Sequence, residues 1–250
     1  MSLVYLIVAA RLLYSWHELM GAADPKSPAG RSGEGLRWRP FPCAQCGSGL
    51  GAFDFLSQSF GAGPPGSRGE PERLSATQIA LLRDWVAGCD HTQIEELLLP
   101  KIAEGAEHAV FLSAEDARVF KVTLPNTFGE SYYLVNGKIN QRNCSPLDYL
   151  ERLRSWEEVF SSSPKPLGIT PTGQIVSVQK FIDGSTPTQQ AVDSFLLESG
   201  LTPVRQECFL WKRKYPGYEV WVGDARDENF VQTKREIVPI DVRMWFALPA

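Results

Sequence analysis

The stretch VGDARDENFVQTKREIVPID, residues 222–241, places three oxygen-bearing side chains around a predicted hairpin. Asp224 ends the apolar strand VWVG, Asn229 follows five residues later, and Asp241 ends the second apolar strand, EIVPI. Because a hairpin brings the ends of its strands together, we expect the three side chains to converge. Magnesium prefers hard oxygen ligands, so Asn229 and Asp241 are predicted to bind it. Asp224 is predicted to act as a base or orienting carboxylate.

A lysine lies upstream, inside the apolar strand VFKVT. Lys121 is costly to bury unless its charge is matched by a partner. Glu157 falls on the inner face of a later predicted helix, together with Leu153 and Phe160, and is the predicted partner. Glu158 is adjacent and stays an alternative, because the helix register is uncertain by about one residue.

Phosphoryl transfer from ATP requires a cation on the phosphates, oxygen ligands for magnesium, and a carboxylate that faces the acceptor hydroxyl. These requirements are met in order by Lys121, by Asn229 with Asp241, and by Asp224. Arg226, two residues after Asp224, is predicted to reach the transferred group and offset its charge. The sequence therefore favours an ATP- and magnesium-dependent phosphotransferase.

Hydrophobic periodicity predicts an α+β chain. The predicted helices cover 75–88, 92–99, 146–160 and 187–198. The predicted strands are AEHAVFLS, ARVFKVTL, YYLV, KIN, 167–169, 174–181, EVWVGDA, ENFVQT and EIVPIDVRM. Asn136-Gly137 is a two-residue hairpin turn, and Ser75 with Gln78 forms a capping box. This order predicts an antiparallel sheet followed by a smaller second lobe.

Residues 1–73 are predicted to be mostly disordered. The segments GAADPKSPAGRSGEG and GAGPPGSRGEPER are too poor in apolar residues to offset the entropy of ordering. The aromatic island FDFLSQSF between them is assigned to the same mostly disordered region, with docking as the alternative. The ordered domain is predicted to span 74–250, with a core at 101–243. The apolar run in the first thirteen residues is too short to cross a bilayer and lacks a basic region before it, so we expect a cytoplasmic protein.

Composition narrows the possible partners. The net charge of −4 provides no electrostatic attraction for nucleic acid or a membrane surface, so neither is expected. Five cysteines in 250 residues do not form a disulfide framework. Cys43 and Cys46 form one C-x-x-C pair, and a zinc site would need Cys89 and His91 from far along the chain, so reduced cysteines are predicted instead.

Together these segments resemble the protein-kinase and aminoglycoside-phosphotransferase superfamily. GDARDENF is similar to the G-D-x-x-x-x-N segment of the phosphotransferases, and Asp241 matches the aspartate of the D-F-G position. More closely, the chain resembles the serine/threonine/tyrosine kinase-like domain found in polyvalent proteins of phages and mobile elements. The matching pieces are EGAEHAVFL, RVFKVT, YLERLRSWEEVF, VQKFIDG and VGDARDENFV…VPIDV, between residues 101 and 243.

The resemblance implies a bilobal kinase-like fold with an antiparallel N-lobe sheet and ATP bound between the lobes. It implies that Gly105 lies in the phosphate loop and that the backbone of Gln179, Lys180 and Phe181 forms the adenine-binding hinge. The chain departs from the family in having one glycine where the pattern is G-x-G-x-x-G, and in the sequence DVR at 241–243. Nine residues, 242–250, follow Asp241, which predicts an abbreviated C-lobe.

Three functions fit these observations. The first is transfer of phosphate to a protein hydroxyl, and the second is a non-catalytic pseudokinase that binds nucleotide or a partner. The third is a small-molecule phosphotransferase. Gly223 precedes Asp224, and a glycine also precedes the corresponding aspartate in those enzymes. His108 is predicted to be exposed on a turn, with contact to a phosphate as the alternative. The basic-aromatic run WKRK at 211–214 is predicted to be a solvated loop, with an acidic acceptor site as the alternative.

Overall fold

The fold is mixed α+β, with mostly antiparallel sheets and few helices. A computed structural model describes residues 36–38, 55–59, 71–87, 97–135, 138–160, 164–170, 172–205, 209–216 and 218–247. The helices are α1 (Pro71–Ala87), α2 (Pro146–Val159) and α3 (Gln189–Glu198), with a helical turn at 55–59 and a 3-10 turn at Asp227–Asn229. The strands are β1 (Leu36–Trp38), β2 (Leu97–Leu99), β3 (Lys101–Glu104), β4 (His108–Ser113), β5 (Arg118–Thr123), β6 (Glu130–Val135), β7 (Lys138–Asn143), β8 (Lys165–Ile169), β9 (Ile175–Lys180), β10 (Thr202–Arg205), β11 (Leu210–Tyr215), β12 (Tyr218–Gly223), β13 (Phe230–Gln232), β14 (Ile237–Pro239) and β15 (Arg243–Ala247).

A five-stranded antiparallel sheet carries Lys121, with its strands in the order β3-β4-β5-β9-β8. Lys121 lies on β5, opposite Val110 on β4 and Ser177 on β9. The predicted strand pair β4–β5 and its turn at 114–117 are confirmed. The predicted β6–β7 hairpin is also present, although its turn residues 136–137 lie outside the described part of the chain.

Helix α2 lies between β7 and β8 in the chain and begins where the sequence predicts. Ser145 caps it: the hydroxyl accepts from the Asp148 N–H, and the Asp148 carboxylate accepts from the Ser145 N–H. One side of α2 packs with α1 and with the fully buried Leu56 of the helical turn at 55–59, which lies inside the region predicted to be mostly disordered. The helix is thereby fixed against the five-stranded sheet.

A second antiparallel sheet has the order β10-β11-β12-β15 and packs on α3. Its core contains Trp211, Val220 and Met244 with Val192 and Leu196 of α3. Trp156 and Phe160, at the end of α2, belong to the same buried cluster. Helix α2 therefore connects the two sheets.

The predicted hairpin after Asp224 is confirmed, and it sets the geometry of the site. Strands β13 and β14 pair antiparallel between Phe230–Pro239 and Gln232–Ile237. Outside this hairpin, β12 pairs with β15, and Gly223 lies opposite Arg243. The chain therefore leaves β12 at Asp224 beside the point where Asp241 leads into β15.

Three local predictions are wrong. Residues 97–99 form strand β2 paired with β1, rather than the end of a helix over 92–99, because pairing with a distant strand outweighs local helix preference. The run 211–214 lies in β11 rather than in a solvated loop: Trp211 is buried, and the Lys212 ammonium bonds to the Glu219 carboxylate. Helix α1 begins at Pro71, so Ser75 lies inside the helix and the predicted capping box with Gln78 is absent; the Gln78 side-chain oxygen instead accepts from the Leu147 N–H. None of the helices in the described ranges is long and apolar enough to cross a membrane.

Candidate functional site

A cavity of about 190 Å³ lies between the five-stranded sheet, α2 and the β12–β15 junction. Gly105, Lys121, Asp224 and Asp241 all line it, as does the helix face formed by Tyr149, Arg152 and Trp156. Four of the residues predicted from the sequence are thus brought together. The cavity is lined by both positive and negative side chains: Glu107, Lys121, Arg152, Asp224, Asp241 and Arg243.

Lys121 is buried and makes its observed contacts with the segment that precedes β15. Its ammonium donates to the Ile240 carbonyl oxygen at 2.6 Å and to Asp241 Oδ1 at 3.1 Å. Lys121 and Asp241 are 120 residues apart in the chain and meet through the tertiary fold. Glu157 is the predicted partner of Lys121, and Glu158 is the alternative. Both side chains lie outside what the structure describes, so this pair stays a prediction. Among the described side chains of α2, the charged one that lines the cavity is Arg152.

Asp241 forms an ion pair with Lys121 and is also accessible from the cavity. Burial would raise the pKa of its carboxyl group, but the positive charge of Lys121 and the hydrogen bond that Lys121 donates, together with the charge of Arg152, outweigh this and lower the pKa below its ordinary value. Its side chain is 44% exposed. Asp241 is therefore an ionised carboxylate that can still contact a ligand.

Asp224 has a backbone φ of 56°, in the left-handed region that few non-glycine residues adopt. Such strain persists where surrounding contacts hold it and is common at functional sites. Here the Asp224 carbonyl oxygen accepts from Asn229 Nδ2 at 2.7 Å. The carboxylate lies 3.3 Å from Arg226 Nε and 3.8 Å from Arg243 Nε. These contacts aim the side chain into the cavity.

Asn229 is buried, and its hydrogen bonds connect the two segments that carry Asp224 and Asp241. Its carbonyl oxygen accepts from the N–H groups of Ile240 and Asp241, while its side-chain amide donates to the Asp224 carbonyl. Because Nδ2 is the donor in this bond, the side-chain oxygen Oδ1 of Asn229 is the atom that can act as an acceptor or ligand. A carboxylate and an amide oxygen are ligand types that magnesium accepts together with waters and substrate phosphates. Of the two residues, Asp241 lines the cavity and Asn229 does not. No group of three or more His, Cys, Asp or Glu side chains that could hold a metal occurs among the described residues, and Cys43, Cys46, Cys89 and His91 lie outside them.

Of the other predicted residues that the structure describes, none lines the cavity: Asn229, Arg226, Gln179, Lys180 and Phe181. Arg226 is 54% exposed and contacts Asp224 from outside. Gln179 is buried and donates to the Pro239 carbonyl at 3.4 Å, and the Phe181 N–H donates to the Ala117 carbonyl. Lys180 is exposed. The cavity therefore contains residues predicted for the phosphate end of the site, and both that role and the hinge assignment of Gln179, Lys180 and Phe181 stay predictions.

Sequence reasoning missed Glu107, Arg152 and Arg243. Arg152 shares a helix face with Tyr149 and Trp156, and that spacing was the available signal. Arg243 is held by Glu130 on β6, whose oxygen lies 2.6 Å from Arg243 Nη1. Burial would lower the pKa of Arg243, but the negative charge of Asp224 and the other neighbours raises it. Glu130 of the β6–β7 hairpin thus holds the Arg243 guanidinium beside Asp224.

The prediction that His108 is exposed on a turn is wrong. His108 begins strand β4 and is buried. Its Nε2 lies 2.8 Å from the Tyr149 hydroxyl oxygen and 3.2 Å from Glu107 Oε1. Burial lowers the pKa of His108 from 6.5 to about 4, against the opposing effect of Asp241. The histidine is therefore neutral at physiological pH.

We expect His108 to make the protein less stable as the pH falls from 6.5 towards 4. In this range the unfolded chain takes up a proton that the folded protein does not bind, which favours unfolding. Since one pKa unit corresponds to about 1.4 kcal/mol, the loss at pH 4.5 is about 2–3 kcal/mol. Urea unfolding at pH 7 and 4.5 measures it, and His108→Gln should show a correspondingly smaller loss. Equal losses in both proteins would contradict the assignment.

Comparison of the chain with protein-family models, with curated protein sequences and with solved structures gave no match.

Proposed function

We propose that this protein is an ATP- and magnesium-dependent phosphotransferase of the protein-kinase-like class, acting on a protein hydroxyl. The observation that carries the proposal is that Gly105, Lys121, Asp224 and Asp241 line one cavity. These residues come from two separated parts of the chain, 105–121 and 224–241, and each is of the type that phosphoryl transfer needs at that position. ATP as the donor also implies a cytoplasmic protein.

The order of elements supports the same class. Protein kinases carry the phosphate-binding lysine on the third strand of the N-lobe sheet, and Lys121 lies on the third strand in chain order of the β3-β4-β5-β9-β8 sheet. Helix α2 then precedes the last two strands of that sheet. The second sheet and α3 correspond to an abbreviated C-lobe. In this proposal the kinase-like domain spans 74–250, with its core at 101–243, and is closest to the kinase-like domain of polyvalent proteins.

In the proposed reaction the acceptor oxygen bonds to the γ-phosphorus, and the bond from that phosphorus to the bridging oxygen of ADP breaks. The hydroxyl proton passes to the Asp224 carboxylate, which Arg226 and Arg243 orient. Lys121 holds the phosphates by charge. Asp241 and Asn229 would hold magnesium, which neutralises part of the phosphate charge when bound.

Titration of the full chain with MgATP tests nucleotide binding. For a Kd of about 0.1 mM, about 5 mM MgATP should add about 2 kcal/mol to the unfolding free energy. This corresponds to a rise in Tm of about 4–8 °C. Magnesium chloride alone is the control, and ATP labelled in its γ-phosphate shows whether ADP and labelled protein form. The absence of both stabilisation and ADP formation would contradict the proposal.

A non-catalytic kinase-like module is the second candidate, and one observation favours it. The loop that should cover the phosphates holds a carboxylate, Glu107, and offers Gly105 in place of three glycines. Stabilisation by MgATP without ADP formation would support this candidate. ADP formation only when an alcohol or aminoglycoside is added, with no labelled protein, would support the small-molecule alternative.

A further inference from the structure

Arg152 is a buried cation in the wall of the cavity. Only 6% of its surface is exposed, and its guanidinium lies 4.7 Å from the centre of the Tyr149 ring. Burial lowers the pKa of Arg152 to about 10, against the opposing charge of Asp241, so it stays protonated near pH 7. A buried guanidinium of this kind requires an anionic partner.

That partner is Glu107, in the loop between β3 and β4. Both Glu107 oxygens accept from the guanidinium: Oε2 from Nη1 at 3.2 Å, and Oε1 from Nη2. The carboxylate lies against Gly129, where a Cβ would collide with it. An anionic group thus occupies a fitted position inside the cavity, on the loop that covers the phosphates in the proposed function.

The Glu107 side chain can leave this position without unfolding the loop. Its backbone carbonyl accepts from the Leu124 N–H at 2.8 Å, which anchors the main chain to the end of β5. The Glu107 side chain is 18% exposed, so water reaches it from the cavity. At Gly105, an added Cβ would meet nothing within 4 Å, so there is space beside the loop. Rotation of one side chain is enough to release Arg152.

We propose that Arg152 is a phosphate-binding residue and that Glu107 occupies the position of a bound phosphate group until a polyphosphate chain displaces it. A phosphate group can accept the same forked pair of hydrogen bonds from the guanidinium. The inference rests on the proposed function for the identity of the ligand, a nucleoside polyphosphate. It requires neither magnesium nor phosphoryl transfer, so it can be tested separately.

Calorimetric titration of the full chain with sodium tripolyphosphate, in the absence of divalent metal, tests this proposal. Glu107→Gln should bind at least fivefold tighter than the parent, because the competing carboxylate is gone. Arg152→Met should bind at least tenfold weaker, and the double variant should lose the gain of Glu107→Gln. Arg154→Met, an exposed arginine on the same helix, is the matched control and should stay within twofold of the parent.

An unchanged affinity in folded Glu107→Gln, or a gain that persists in the double variant, would overturn the proposal. If Glu107→Gln does not fold, Glu107→Asp serves instead, because it draws the carboxylate back by one methylene. Glu107→Asp should bind tripolyphosphate at least twofold tighter than the parent. An unchanged affinity in that variant would equally overturn the proposal. Phosphoryl transfer from MgATP without an effect of Arg152→Met would refute this inference alone. The expected tripolyphosphate pattern without nucleotide binding or transfer would refute the proposed function alone.

Discussion

Asp224→Asn should lower phosphoryl transfer by a factor of about 10²–10⁴, because the amide cannot take the acceptor proton. Binding of MgATP should stay within about threefold of the parent, since Asp224 contacts Arg226 and Arg243 rather than Lys121. The shape of the side chain is unchanged, so the left-handed backbone at this position is preserved. Initial rates of ADP formation and a calorimetric titration measure the two effects separately.

Asp227→Asn is the matched control for this variant. Asp227 lies three residues further on, in the 3-10 turn, and its carboxylate accepts from the Glu228 N–H at 2.9 Å. It does not line the cavity. Its transfer rate should stay near that of the parent, whereas parental activity in Asp224→Asn would show that Asp224 is not the acceptor-facing base.

Asp241→Ala should destabilise the protein by about 3 kcal/mol at pH 7, since it leaves a buried lysine without its carboxylate. Lys121 is 4% exposed, and its remaining observed partner is the Ile240 carbonyl. The same change should weaken MgATP binding, because Asp241 is the proposed magnesium ligand. Urea unfolding monitored by tryptophan fluorescence measures the stability.

The double variant Lys121→Met, Asp241→Ala isolates the cause of this loss. Replacing the lysine with an apolar side chain of similar length removes the unpaired charge, so part of the stability should return. MgATP binding should not return, because both the cation and the metal ligand are missing. A double variant that is no more stable than Asp241→Ala would show that the buried ammonium is not the source of the loss.

Much of the local structure could be predicted from the sequence. The two strands on either side of 114–117, the β6–β7 hairpin and the start of α2 at its Ser145 cap all depend on neighbouring residues. The same holds for the hairpin that brings Asp224 and Asp241 together. Turn chemistry, capping and alternating burial are local signals, and they operate over about ten residues.

Long-range partners could not be predicted in this way. Strand β2 pairs with β1 across some sixty residues, between Leu36 and Leu99, and the apolar triplet at 97–99 does not encode that choice. Strands β10 and β11 were missed, and in β11 the two lysines and the arginine resemble a solvated loop. Trp211 is nevertheless buried against α3, and Glu219 neutralises Lys212.

For the candidate site, the sequence by itself determined the chemical types and their order: Lys121, then Asp224, Asn229 and Asp241. The tertiary structure decided which of them meet and what surrounds them. It pairs Lys121 with Asp241 through contacts with the segment before β15, and it turns α2 so that Arg152 faces the cavity opposite Glu107. These outcomes depend on strand pairing and helix rotation between segments far apart in the chain. Burial, rather than any local pattern, then requires each buried charge to have a partner.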